Sequence, residues 1–292
     1  MLSTWGQLAF NGLTIGLIYV ILAAGLVLIL SVTEIFFIAY GQFYMVGAYV
    51  TWYTAKSLDL PYFLSLVIGV LATAALGLLS YLFIFNRIQY SDTRFLSTIT
   101  AALGLSLILG QVALLIFPTT PQSIPTVFHG ALTLGKITFG VDKLALIGMG
   151  ILVTIVLFYL YEKRGVGRAM KAVSLAPEVA ALQGINAKKI YFLTMAIGTA
   201  LAGFAGGILA PSYNISTSMG NNVIASILLM TMLGGMDSLL GAVAGGLVVG
   251  LILSFGQYYL GSIVQIYLFV IIGVIIFFRP NGLLGHRTDI GV

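Results

Sequence analysis

The chain has 292 residues, 60% of them hydrophobic and only 7% charged, with a mean hydropathy of +1.12, which excludes a water-soluble globular domain. Its net charge of +5 and pI near 9.3 are no sign of nucleic-acid binding until the basic residues have been placed relative to a bilayer. There is no Cys, which excludes disulfides, thiolate metal sites and Cys nucleophiles; the two His, His129 and His286, are far apart and beside no acidic cluster, which speaks against metal chemistry.

The charges divide the chain into long apolar runs, each close to the roughly 20 residues that cross a hydrocarbon core as helix. Residues 1 to 33 are charge-free and have no basic n-region. Their apolar core exceeds the roughly 7 to 15 residues of a secretory signal, so a retained span is expected. Thr33 and Glu34 mark a turn into a second run, 35 to 55, and a third covers 60 to 86. After the Arg87 to Arg94 loop, 95 to 117 forms the next span. Pro118, Pro121 and Pro125 are spaced too closely for a helix, which predicts a structured loop over 118 to 142. Residues 144 to 161 and 190 to 210 are further spans, separated by the only long charged segment. The stretch 222 to 258 would measure roughly 55 Å as one helix, nearly twice the hydrocarbon core, so it must break. Gly234, Gly235 and Gly241, with Asp237 between them, are the expected place. The reading is all-α: one polytopic membrane domain over residues 1 to 292, with about 8 to 10 transmembrane helices.

Orientation follows from the Lys and Arg residues, which are retained on the cytoplasmic side in short loops. Placing the segment 162 to 189 inside and counting spans outward puts ten of the 13 basic residues inside: Arg87, Arg94, Lys163, Arg164, Arg168, Lys171, Lys188, Lys189, Arg279 and Arg287. Lys56, Lys136 and Lys143 fall outside. The loops 118 to 142 and 211 to 221 are then external and the C-terminus is cytoplasmic.

The spans hold almost no ionisable residues, whereas ion-coupled carriers place such groups in theirs. Glu34 and Asp237 are the only candidates, and both are read as helix-end residues. No G-x-x-x-x-G-K-[ST] run exists, so no nucleotide site of that type is expected in this chain. Small-x-x-small arrays such as Gly198, Ala202, Gly206 and Gly241, Gly245 are read chiefly as helix packing. Polar residues that could line a path are Asn11, Thr14, Tyr19, Tyr40, Gln42, Asn214, Ser216, Thr217, Asn221, Asn222, Thr231 and Gln257. The narrower set of path candidates is Asn11, Tyr40, Gln42, Asn214, Thr231 and Asp237.

The charged segment contains a short helix of its own. Ser174 is expected to cap it, Pro177 to occupy its first turn, Glu178 to favour its positive end and Gly184 to stop it. Val179 and Leu182 share one face, which needs a partner if it is to be buried.

The run GRAMKAVSLAPEVAALQGI (167 to 185) resembles the cytoplasmic coupling loop of ABC importer permeases, in particular the permease subunits of the high-affinity branched-chain amino acid transporter family. Further matching runs are NGLTIGLIYVILAAGLVLIL (11 to 30), FFIAYGQFYMVGAYV (36 to 50), AIGTALAGFAGGILAP (196 to 211), MTMLGGMDSLLGAVAGGLVVG (230 to 250) and FFRPNGLLG (277 to 285). The resemblance covers most of the chain. It departs where the family has an Asn-Phe-Ala-His-Gly-like run and this chain has Phe37, Ile38, Ala39, Tyr40 and Gly41, and where Asp237 replaces a usual Gly.

The resemblance implies a multi-pass protein of a prokaryotic cytoplasmic (inner) membrane that moves leucine, isoleucine or valine, with no covalent chemistry of its own. It implies that Arg168, Ala169, Pro177, Glu178, Val179, Leu182, Gly184 and Ile185 couple to the ATPase. No cofactor would be bound by this chain, ATP and Mg being held by partner subunits. The implied partners are cytoplasmic ATP-binding subunits, a second homologous permease, an extracytoplasmic solute-binding protein and the lipid bilayer, with no nucleic acid. Near relatives carrying urea or short amides form one alternative. An ATP-independent secondary carrier or channel is a second, and a membrane structural or assembly protein a third.

Overall fold

The computed structural model describes residues 2–89, 94–124, 130–134, 137–279 and 282–284. His129, Pro125, Lys136, His286 and Arg287 lie outside the described residues. In chain order the elements are α1 (Leu2–Thr33), α2 (Tyr40–Ser57), α3 (Tyr62–Ser80), a widened turn (Tyr81–Phe85) and α4 (Asn86–Ile88). Next come α5 (Arg94–Ile116), β1 (Ala131–Leu134), β2 (Ile137–Gly140), α6 (Val141–Lys163), α7 (Gly165–Leu175) and α8 (Pro177–Leu182). The series ends with α9 (Ala187–Leu209), α10 (Met219–Gly234), α11 (Leu239–Leu260), one tight turn (Gly261–Ile263) and α12 (Val264–Phe278).

Six described helices are long and apolar enough to cross a membrane: Thr4–Thr33, Tyr62–Ile88, Phe95–Ile116, Val141–Lys163, Ala187–Leu209 and Leu239–Leu260. Met219–Gly234 and Val264–Phe278 are apolar but shorter. The breaks expected after Thr33 and at Gly234 to Gly241 are present. The all-α reading holds for the membrane part. The loop before α6 adds a small antiparallel hairpin, β1 with β2, in the register Leu134 opposite Ile137. Proline spacing forbids helix in that loop but does not by itself specify strands.

Contacts divide the chain into two compact units. One comprises Met1–Val27, Phe128–Ile151 and Ala225–Val292. Within it α1 and α11 run antiparallel through glycine contacts: Gly12 and Gly16 face Leu251 and Leu247, and Gly246 and Gly250 press on the α1 backbone at Val20 and Gly16. The Ser254 hydroxyl donates to the Leu8 carbonyl at 2.7 Å. Gly234 and Gly241 touch backbone to backbone, closing the α10 to α11 corner. The carbonyls of Leu233 and Gly234, at the end of α10, accept from the amides of Leu283 (2.7 Å) and Leu284 (3.1 Å). Helix C-termini always leave such carbonyls without an intrahelical donor.

The other unit comprises Leu28–Val127 and Leu152–Ile224. Its core is α2, α3 and α9, packed through small residues. Gly47 meets Gly203, Gly206 lies under the Tyr44 carbonyl, and Gly69, Gly77 and Gly203 face Thr51, Thr199 and Thr73. Each of these threonines donates its hydroxyl within its own helix, Thr51 to Gly47 at 2.8 Å, Thr73 to Gly69 at 3.1 Å and Thr199 to Met195 at 2.7 Å. The polar groups are thereby satisfied without water, as hydrocarbon surroundings require. After Tyr81–Phe85, Asn86 donates its amide five residues back to the Tyr81 carbonyl, and the Tyr81 hydroxyl donates to Gln89 Oε1 at 2.9 Å.

Residues 34 to 39 are not helical yet are largely buried: Ile35, Phe37 and Ala39 are out of reach of solvent. Phe37 packs on Phe43, Phe85 and Tyr40. Non-helical backbone at membrane depth is tolerated where protein encloses it.

Candidate functional site

The charged segment folds as two short helices against the start of α9. Gly167, Met170 and Val173 of α7 are buried, whereas Arg168 is exposed and Ala169 half-buried. The Lys171 ammonium contacts Glu162 Oε1 at 2.6 Å and lies 4.7 Å from the Tyr161 ring centre, so the end of α6 is tied to α7.

The connection into α8 differs from the sequence reading at one residue. Ser174 lies inside α7, and its hydroxyl donates to the Lys171 carbonyl at 3.0 Å instead of capping α8. Mid-helix serines do this because the carbonyl one turn back is within reach of the hydroxyl. The N-cap of α8 is Ala176, in extended conformation with no side-chain cap; Pro177 follows at the first helical position, where its missing amide leaves no donor unsatisfied. Glu178 stands in the first turn, at the positive end of the helix.

Gly184 ends α8 at φ +82°, with its amide donating to Ala181 and that of Ile185 to Ala180, both at 3.0 Å. Gly184→Ala is expected to lower the stability of this segment by about 1 kcal/mol, because a β-carbon is disfavoured at that φ. Faster amide exchange over residues 177 to 185, with the membrane helices unchanged, is the measurement. Asn186 then caps α9, its Oδ1 accepting from the Lys189 amide at 3.2 Å.

Ala180, 2% exposed, anchors α8, whereas Val179 is 53% and Leu182 88% exposed. On the same segment Arg168 and Glu178 are exposed and Ile185 is half-buried. Lys188 and Lys189 line a groove with Asn86 and Tyr81, which brings the widened turn and α4 beside the start of α9. The basic loops assigned to the cytoplasmic side thus lie at one end of this unit. At the other end, Gln122 and Ile215 exchange backbone bonds of 2.9 and 2.7 Å, joining the two segments assigned as external.

The path candidates separate into two groups. Tyr40 donates to the Gly198 carbonyl at 3.1 Å and is committed to packing. Thr231 is buried and donates to Leu228 within its own helix, and Asn11 accepts from the Lys143 ammonium at 2.9 Å. Asn214 is exposed, and Asp237 is exposed in the turn between α10 and α11, as its helix-end reading implied. Gln42 is different: it is 2% exposed, and its Nε2 donates to Asn221 Oδ1 at 2.6 Å and approaches Ser106 Oγ at 3.4 Å. Its Oε1 is buried with no hydrogen-bond partner.

Sequence reasoning named Gln42 and Asn221 but missed Ser106. The available signal was a lone hydroxyl in the apolar run of α5, between Gly104 and Gly110. Among the described residues no group of three or more His, Asp or Glu is placed to hold a metal ion.

The family model for the permease component of the branched-chain amino acid transport system matches residues 8–279. The high-affinity branched-chain amino acid transport system permease protein BraD of Pseudomonas aeruginosa is 28% identical over 296 residues, covering 96% of this chain and 95% of BraD. The corresponding LivH protein of Escherichia coli K12 is 26% identical with the same coverage, and a probable LivH of Methanocaldococcus jannaschii is 30% identical over 83% of this chain and 78% of its own length. Among solved structures, PsaBC from Streptococcus pneumoniae in complex with Fab has the same fold at a TM-score of 0.51 and 16% identity, covering 93% of this chain and 91% of that one.

Proposed function

Because this chain belongs to the branched-chain amino acid transport permease family, we propose that it is the subunit through which leucine, isoleucine or valine crosses a prokaryotic cytoplasmic membrane. It is a multi-pass membrane permease. It acts as one permease domain over residues 1 to 292, with its C-terminus in the cytoplasm. ATP and Mg are bound, and ATP hydrolysed, in separate cytoplasmic subunits; a second permease subunit completes the path and an extracytoplasmic binding protein delivers the cargo.

The observation that supports this most is α8. A six-residue helix, entered through Pro177 and closed at Gly184, holds Val179 and Leu182 out into water. Apolar side chains held there by a rigid turn make sense as the contact for a soluble partner. Closure of the ATPase pair then pushes α8, and α9 behind it, and shifts the permease between outward and inward openings. The shift is as large as the difference in contact energy between the two states and no larger. The cargo is a zwitterion with an apolar side chain, which suits a path of amide, hydroxyl and helix-end groups without fixed charge.

The test is uptake of radiolabelled leucine by vesicles holding the permease and its partner subunits, with the loaded binding protein outside. Uptake is expected only with ATP and Mg on the ATPase side. Accumulation against a gradient by the permease alone would overturn the reading in favour of a self-sufficient carrier.

A further inference from the structure

We propose that the place where α2 and α10 begin is the mid-membrane station for the two charged ends of the transported amino acid, with Gln42 receiving its ammonium group. The proposal rests on the amino-acid reading above. Tyr40, the first residue of α2, bonds to Gly198, the midpoint of α9, and Gln42 approaches Ser106, close to the middle of α5. Both α5 and α9 are long enough to span the bilayer, so α2 starts about halfway through it. Gly220, in the first turn of α10, touches Gly41 backbone to backbone, so α10 starts at the same depth and the stretch expected to be external, 211 to 221, ends before Gly220.

Each helix N-terminus carries about half a positive charge, and two of them meet here; the Tyr40, Gln42 and Met219 amides are committed to Phe37, Ala39 and Ser216, so the donors on offer are those of Gly41 and Gly220. Neither first turn contains an acidic residue, and no side chain caps α2 at Ala39. A carboxylate is the group such an arrangement favours. Beside it, Gln42 Oε1 is buried with no partner, an arrangement that costs free energy until a donor arrives. A β-carbon on Gly220 would stand 2.9 Å from this oxygen, and one on Gly110 3.8 Å from it, so glycines keep the approach to the amide free of side chains. An unsatisfied acceptor beside two positive helix ends matches the ammonium and carboxylate of a zwitterion, which are both attached to its α-carbon. Asn221, exposed and bonded to Gln42, links the station to the surface.

The experiment uses the assembled transporter in nanodiscs and reads its thermal midpoint with leucine, with 4-methylpentanoate, which lacks the ammonium, and with leucinamide, which lacks the carboxylate. Leucine should raise the midpoint and the other two should not. Gln42→Leu should remove the leucine shift and cut ATP-driven leucine uptake about tenfold or more. Its unliganded midpoint should change little, the removal of an unpaired carbonyl offsetting the lost bonds to Asn221 and Ser106. Wild-type uptake and shift in that variant, or a lowered midpoint accompanying the lost uptake, would overturn the proposal, the latter by making Gln42 structural. Should Gln42→Leu not assemble, the exposed Asn221→Ala decides: reduced uptake and a weaker leucine shift support the station, and unchanged values overturn it. If the wild type shows a Gln42-dependent leucine shift but no ATP-driven uptake, the station stands and the ATP-driven importer reading fails.

Discussion

Gly206→Leu will leave no monodisperse folded protein. The β-carbon alone would run into the Tyr44 carbonyl and come within 3.0 Å of the Ala48 amide, both backbone of α2, so no side-chain rotation relieves the clash. Overpacking of a tight core usually costs about 1 to 3 kcal/mol; here two helices must separate, and the cost is expected above that range. That is a large part of a native stability of about 5 to 15 kcal/mol. The α2 and α9 contact is also held by Gly47 on Gly203, so the two helices cannot part at one point and stay joined at the next. Size-exclusion chromatography of the solubilised protein should show the loss. The matched control is Gly148→Leu on α6, where a β-carbon meets nothing within 4 Å; its effect should stay within about 0.5 kcal/mol. Equal behaviour of the two variants would refute the packing account.

The second large effect concerns the cytoplasmic side. Val179→Asp with Leu182→Asp is expected to weaken association with the ATPase subunits by more than about a hundredfold, or about 3 kcal/mol. Both side chains are exposed, so the permease itself should keep its thermal midpoint. In the complex each carboxylate would lie in an apolar contact without a partner, which is why the loss should exceed that of alanine variants. Co-purification from membranes and ATP-driven uptake are the two readouts. Retained association, with both substitutions confirmed, would mean that the engine grips the chain elsewhere, with Leu175 and Arg168 the next exposed candidates on the same segment.

What was legible in the sequence was local in origin. Glu34 and the Gly234 to Gly241 cluster interrupt apolar runs that a bilayer would otherwise extend, and the chain does break there. Pro177 and Gly184 act through their own backbone, one lacking an amide and the other taking a positive φ, so the limits of α8 could be read without knowing its neighbours. Ser174 could not. Its hydroxyl had two possible acceptors or donors within a turn, and helix α7 running up to Leu175 settled the choice.

The meeting of the starts of α2 and α10 was out of reach for a different reason. Residues 34 to 39 are unwound where Phe37 is enclosed by Phe43, Phe85 and Tyr40, and Phe85 comes from the widened turn after α3. Likewise Gln42 and Asn221 each appear as ordinary polar residues in an apolar run. Only their 2.6 Å bond, and the carbonyl left over beside it, separates them from Asn11 and Thr231, whose polar atoms are engaged elsewhere.

The bonds from Leu283 and Leu284 to the end of α10 have a consequence for biosynthesis. Until those two residues have been made, the carbonyls of Leu233 and Gly234 lack these donors, and the α10 to α11 corner is in place but unsealed. The end of an internal helix is therefore sealed by a stretch translated later. Nascent chains halted before Gly282 would present an open seam to the proteases that survey the membrane, and finished ones would not.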